Sequence, residues 1–180
     1  MKSSQIIGSG TIRYLGIDTS TIAMPFAVFD DKELVDYGVY TTQGTFFEDK
    51  LHFQYNKIQD LIEEYDIDIV VLEDAFIGKN MYGAKSTMQM LGALRMGAYI
   101  KNATCFLVLA SKWRKGIIKT RQKKSVKQQA IDYVNENYDL DLKYHKSKTK
   151  TDDDIAEAII MVEGIVWGRY TFGDVRVFKS

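Results

Sequence analysis

The chain has 180 residues, 46% of them apolar and 27% charged, and its 24 Lys and Arg balance 24 Asp and Glu. These proportions suit one domain with a substantial core, and they exclude a disordered, collagen-like or low-complexity chain. A single cysteine, Cys105, excludes a disulfide framework and a Cys-rich zinc site. No stretch reaches the ~18 consecutive apolar residues of a membrane span, and residues 1–11 lack the apolar run of a secretory signal. The expectation is a cytoplasmic protein with a loose lead-in over 1–11 and one domain over 12–180.

In chain order, residues 14–18 (Tyr-Leu-Gly-Ile-Asp) read as a buried strand ending in an acid. Residues 25–29 form a second apolar run, and Asp30, Asp31 and Lys32 make a tight polar connection to a third strand over 34–40. Three strands so close in sequence predict an antiparallel meander. Phe47, Leu51, Ile58, Leu61, Ile62 and Tyr65 then recur at helical spacing. Residues 68–73 are a short run rich in β-branched residues, read as a central strand covered on both faces. Residues 83–100 suit a helix whose small residues Gly92, Ala93, Gly97 and Ala98 allow close packing on another helix. There Met88, Met90 and Met96 read as packing residues. Residues 104–109 read as a further strand, with Cys105 a small core residue. Ser111 is expected to cap a short helix, residues 123–137 a longer one, and 152–167 a last helix with an acidic first turn that suits its dipole. The order βββ-α-β-α-β-α-α predicts a mixed sheet with helices on both faces.

The charge balance hides a segregation. Residues 1–100 carry 8 basic and 14 acidic side chains, residues 101–150 carry 13 and 4, and residues 151–180 carry 3 and 6. The densest part is Lys112, Arg114, Lys115, Lys119, Arg121, Lys123, Lys124 and Lys127, with no acid between them and with Trp113 inside the run. An ordinary solvated helix face would interleave acids as i,i+4 partners. A cation cluster with an embedded aromatic suits a phosphate backbone.

Four carboxylates stand out by position. Asp18 ends the first strand and Glu73 the fourth, while Asp154 and Glu157 lie at i,i+3 on the last helix and share a face. Asp74 points away from Glu73 if the strand continues, because neighbours alternate. Carboxylates at the ends of adjacent strands, facing a helix with two more, would make an oxygen-rich pocket of the kind Mg²⁺ prefers. Taken singly, each feature has an ordinary structural explanation; Asp152, Asp153 and Asp154, for example, could be only a helix N-terminus.

Together these residues resemble the RuvC-like Holliday junction resolvases of the RNase H-like superfamily, especially the phage-encoded branch. Leu15-Gly16-Ile17-Asp18 resembles the first-strand motif of that family. The segment from Leu72 through Glu73, Phe76, Lys79 and Asn80 resembles its glutamate motif and following loop. Leu91-Gly92-Ala93-Leu94-Arg95 resembles the next helix, and Asp154-Ile155-Ala156-Glu157-Ala158 the C-terminal motif, with Glu157 where Asp is commoner. The resemblance covers about Tyr14 to Trp167. It implies an RNase H-like mixed five-stranded sheet, three antiparallel strands then two parallel, with helices on both faces. It also implies a crossover junction endodeoxyribonuclease that makes paired symmetric nicks in four-way DNA junctions in a bacterial or phage-infected cytoplasm. Asp18, Glu73, Asp154 and Glu157 would hold two Mg²⁺ or Mn²⁺ ions, with Asp153 the register alternative. Phe76 would stack on a base, and Lys79 and Asn80 would touch phosphates. Lys115, Lys119 and Lys127 would contact phosphate or stabilise charge, with Lys112, Trp113, Arg114, Arg121, Lys123 and Lys124 completing the DNA-binding set. The helix over 83–100 would build a homodimer. His52 is expected on the surface, and His145 has the wrong spacing from Asp154 for a catalytic role.

Rival readings remain at this point. Gly16 to Thr21 also resembles the phosphate-binding opening of actin, Hsp70 and sugar kinases and of TsaB-type partner proteins, in which Thr19, Ser20 and Thr21 would serve nucleotide phosphate. An RNase H-like nuclease for RNA–DNA hybrids, flaps or forks is a second possibility, and a DNA-binding module without cleavage a third.

Overall fold

The structure is a computed structural model that describes residues 10–74, 81–115, 117–118, 124–144, 152–171 and 173–179. Its sheet comprises β1 (Arg13–Ile17), β2 (Ala23–Asp30), β3 (Glu33–Thr41), β4 (Ile69–Glu73), β5 (Thr104–Val108) and β6 (Val175–Phe178). The helices are α1 (Phe47–Tyr65), α2 (Met81–Ile100), α3 (Ala110–Trp113), α4 (Val126–Tyr138) and α5 (Asp152–Val166).

The strands lie in the order β3-β2-β1-β4-β5-β6. The first three form the expected antiparallel meander, β4 and β5 run parallel to β1, and β6 returns antiparallel to β5. The sheet therefore has six strands, one more than the five expected. The four-residue β6 is too short to show a period of its own. It is secured by pairing with Cys105–Val108 and by Phe178, which packs on the core while the Arg95 guanidinium lies 3.7 Å from its ring centroid. The architecture is otherwise the expected mixed sheet with helices on both faces.

Each face has its own core. Leu15, Ile17, Val70 and Leu72 point to the side covered by α1 and α2, where they meet Ile58, Leu61, Met90 and Leu94. The alternate positions point to α4 and α5, and there Val71 and Val108 pack with Ile131, Val134, Ile159 and Val162. Strand alternation thus puts Gly16 on the α5 side, as well as Asp18 and Glu73, the next positions with that parity. Buried Gln54 of α1 donates to the Ser20 carbonyl at 2.6 Å and to Thr42 Oγ1 at 2.7 Å, which pins the connection that follows Asp18.

Several local expectations need correction. Leu109, not Ser111, occupies the N-cap of α3, without a side-chain hydrogen bond. Ser125 caps α4 by accepting from the Gln128 amide at 3.2 Å, so that helix starts at Val126 rather than 123. Of the three methionines singled out in α2, Met90 is buried while Met88 and Met96 are exposed, and Gly92 faces open space. The small-residue reading holds one turn on, where a Cβ on Gly97 would meet Ile58 Cγ2 of α1 at 2.6 Å. His52 is exposed and Cys105 is buried in β5. His145 lies outside the described residues, as does most of the 1–11 lead-in. No helix among the described residues is long and apolar enough to cross a membrane.

Candidate active site

The parallel register of β1 and β4 pairs Ile17 with Leu72. The next residue on each strand is therefore a carboxylate beside a carboxylate: Asp18 next to Glu73. Helix α5 crosses above them. Gly16 lets it come close, since a Cβ there would sit 2.5 Å from Val162 Cγ2 and 2.6 Å from the Ala158 carbonyl oxygen. The first turns of α5 then deliver Glu157, and one carboxylate oxygen from each of Asp18, Glu73 and Glu157 lies within 4.8 Å of the others.

Three anions this close are held at an electrostatic cost. Burial first, then repulsion from Glu73, Glu157 and Asp154, pushes the Asp18 carboxyl well above the ordinary carboxylate range. Burial and Glu73 raise Glu157 from its ordinary 4.5 to about 8. Burial also raises Glu73, opposed by a hydrogen bond from Trp113 and by the Arg114 charge. Such a set favours either protons or a hard cation with oxygen ligands. The donor chemistry therefore fits a divalent ion: three convergent carboxylates, none carrying an ion pair of its own among the described residues.

The structure separates the two register candidates. Asp153 is 4% exposed and is taken up by Lys127 of α4. Asp154 is partly exposed, lies 3.4 Å from the same ammonium, and is raised first by burial and then by Asp153. It sits outside the group of three but near enough to raise both Asp18 and Glu157. For Lys127, burial works to lower the pKa, but the hydrogen bond to Asp153 and the charges of Asp154, Asp153 and Glu157 raise it overall.

The basic run is less free than its sequence suggests. Lys112 pairs with Asp174 at 2.5 Å and Lys124 with Asp132 at 2.6 Å, while Lys127 is engaged with Asp153 and Asp154. Lys115 is exposed, without an ion pair among the described residues. Trp113 is a correction: it is 2% exposed, part of the core beneath α5, and cannot stack on a base. Its indole N–H instead donates to Glu73 Oε2 at 3.2 Å, and the Arg114 guanidinium lies 4.8 Å from its ring centroid. A buried indole must find an acceptor for its only donor, and a Trp five residues past a core strand was the one signal of this role. Lys127 as a partner of α5 had no local signal, because its acids lie 26 and 27 positions away. Asp74 turns away from the cluster, as alternation predicts, and pairs with Arg176 of β6. Phe76, Lys79, Asn80, Lys119, Arg121 and Lys123 lie outside the described residues.

Comparison with known proteins gives a consistent picture. The family model described as crossover junction endodeoxyribonuclease RuvC matches residues 14–161. A protein of that name from Roseiflexus sp. is 33% identical over 87 residues, 46% of this chain and 52% of the relative. Another from Fusobacterium nucleatum is 29% identical over 96 residues, 51% of this chain and 50% of the relative. The matched segments thus span about half the length of these curated relatives. Among solved structures, Thermus thermophilus RuvC in complex with a Holliday junction substrate superposes with a TM-score of 0.68 at 12% identity, over 93% of this chain and 99% of the other. Fowlpox virus resolvase with its junction DNA gives 0.57 at 15% identity, over 89% of this chain and all of the other (100%). At these identities the likeness is one of fold.

Proposed function

We propose, from the premise that the chain belongs to the crossover junction endodeoxyribonuclease RuvC family, that it hydrolyses phosphodiesters at four-way DNA junctions with the help of Mg²⁺ or Mn²⁺. The observation that carries this reading is the convergence of Asp18, Glu73 and Glu157 at the ends of two parallel strands and one helix. Asp18, Glu73 and Glu157 are the proposed ligands, with Asp154 serving a second ion beside them. Bound there, divalent ions supply Lewis acidity and an activated water for phosphodiester hydrolysis. The protein's own part is to hold four carboxylates at fixed spacing, to neutralise Asp153 with Lys127, and to offer phosphates the exposed Lys115. Phe76, Lys79 and Asn80, with Lys119, Arg121 and Lys123, complete the proposed DNA surface. The phosphate-binding reading of Thr19, Ser20 and Thr21 leaves the convergence of Glu73 and Glu157 without a purpose.

We also propose a homodimer built on α2. Met88, Met96, Tyr99 and Ile100 are exposed apolar residues of that helix, the kind of surface a contact with a second copy would cover. Two copies joined there would present two carboxylate centres to a junction that itself has two-fold symmetry.

The reading is tested by cleavage of a synthetic immobile junction beside linear duplex, RNA–DNA hybrid and forked DNA. The unsubstituted chain should cut the junction in preference to the others. Asp18→Asn should lower the rate by about three orders of magnitude, since several kcal/mol of charge stabilisation go with the metal, while junction binding persists. Robust cutting by that variant would remove Asp18 from the site.

A further inference from the structure

The indole N–H of Trp113 is spent on the Glu73 carboxylate. A buried indole needs an acceptor, and here that acceptor belongs to the group of three converging carboxylates. We propose that Trp113 is a positioning residue of the cation site: by holding one oxygen of Glu73 it fixes that side chain in the orientation that meets Asp18 and Glu157. The proposal rests on reading those three carboxylates as a divalent-cation site.

The placement follows from the sheet. Strand β5 pairs with β4 in parallel, so that Val108 lies opposite Glu73. Five residues later, the single turn of α3 folds the indole back under α5 and against that same glutamate. The ring is 2% exposed and the guanidinium of Arg114 lies over it, so the donor has little freedom to move away.

The chemistry of the donor matters as much as its position. A lysine or arginine in its place would hold Glu73 as well, but its full charge would compete with the incoming cation. That is the situation of Lys127, which occupies Asp153 and reaches Asp154 rather than the group of three. An indole N–H is neutral. It orients the carboxylate, and it eases the repulsion from Asp18 and Glu157 by accepting part of the charge, without filling the place of a metal. Partners of metal ligands act in this way, and losing one costs about 10–100-fold in metal affinity.

The test is Mn²⁺ binding to the full chain without DNA, followed by electron paramagnetic resonance of the free ion. Trp113→Phe keeps the aromatic bulk and removes only the donor; it should weaken Mn²⁺ binding about 10–100-fold. Glu73→Gln should weaken binding too, and in the Glu73→Gln background the Trp113 change should cost nothing more, because its effect runs through Glu73. Equal losses in both backgrounds would make Trp113 a core residue only and overturn the proposal. Absence of Mn²⁺ binding in the unsubstituted chain would overturn the cation-site reading, and the proposal with it. If Trp113→Phe does not fold, nuclear magnetic resonance of the unsubstituted chain decides. The Trp113 indole N–H signal, told from that of exposed Trp167 by Trp167→Phe, should move on adding Mg²⁺ and again in Glu73→Gln. An indole signal indifferent to both would overturn the assignment.

Discussion

Glu157 stands where the resembling family more often has aspartate, and the structure shows what the longer side chain can do. One of its oxygens reaches those of Asp18 and Glu73 while the residue stays 6% exposed. Burial, with Glu73 close by, holds its carboxyl up to about 8, and this has a consequence for stability. An acid whose folded pKa exceeds its unfolded value binds more protons in the folded state, so stability is fully present below about 4.5 and is lost as pH rises through about 8. Asp18 is raised as well and acts in the same sense. The metal-free chain should therefore melt at a lower temperature at about pH 9 than at about pH 6, and Mg²⁺ should reduce that loss. Calorimetry in chelator and in excess Mg²⁺ checks this, and a metal-free melting temperature that rises over that range would contradict the shifts. Glu157→Gln should flatten the dependence. The four acids were legible in the sequence because each sits where an element ends or begins. Their division into a group of three plus Asp154 was not, since that depends on the position of α5 along β1.

Packing of α5 on the sheet is the decisive contact between elements. It brings the only two acids that do not come from strands, and it depends on Gly16 as much as on the apolar face of the helix. Gly16→Ala would place a methyl group 2.5 Å from Val162 Cγ2 and 2.6 Å from the Ala158 carbonyl. The backbone oxygen cannot turn aside, so the helix must lift. Overpacking of this kind costs about 1–3 kcal/mol, and the lift would carry Glu157 from Asp18. The expected outcome is a lower midpoint in urea together with weaker Mn²⁺ binding. An unchanged midpoint would mean that α5 does not sit this close. The strand and helix elements were largely legible, because β2 and β4 are apolar runs and α1 has a clear helical period. The elements that were missed or shifted are those set by tertiary context: β6, whose four residues acquire strand form only by pairing with β5, and the start of α4, which is decided by the Ser125 cap.

Across the whole molecule, zero net charge conceals a division of labour. The acids that matter lie at one end of the sheet, and two described members of the basic run, Arg114 and Lys127, lie near them. The sequence showed that segregation but overstated how many cations are free. Lys112 and Lys127 have acidic partners from distant parts of the chain, and Lys124 has one eight residues on in α4; no local helical spacing could reveal pairs brought together by folding. In α2 the methionines read as packing residues, and Met88 and Met96 stand in the open in a single copy. If those residues join two chains, Met96→Glu should convert a dimer to a monomer by light scattering and leave Mn²⁺ binding intact; a dimer that survives the change would move the interface elsewhere. Whether the carboxylate centre cuts branched DNA is decided by Mg²⁺-dependent cleavage of an immobile four-way junction by the unsubstituted chain and by Asp18→Asn. The unsubstituted chain should leave paired nicks in the junction, and Asp18→Asn should leave it intact and still bound. Equal cutting by the two, or cutting of linear duplex as fast as of the junction, would contradict that role.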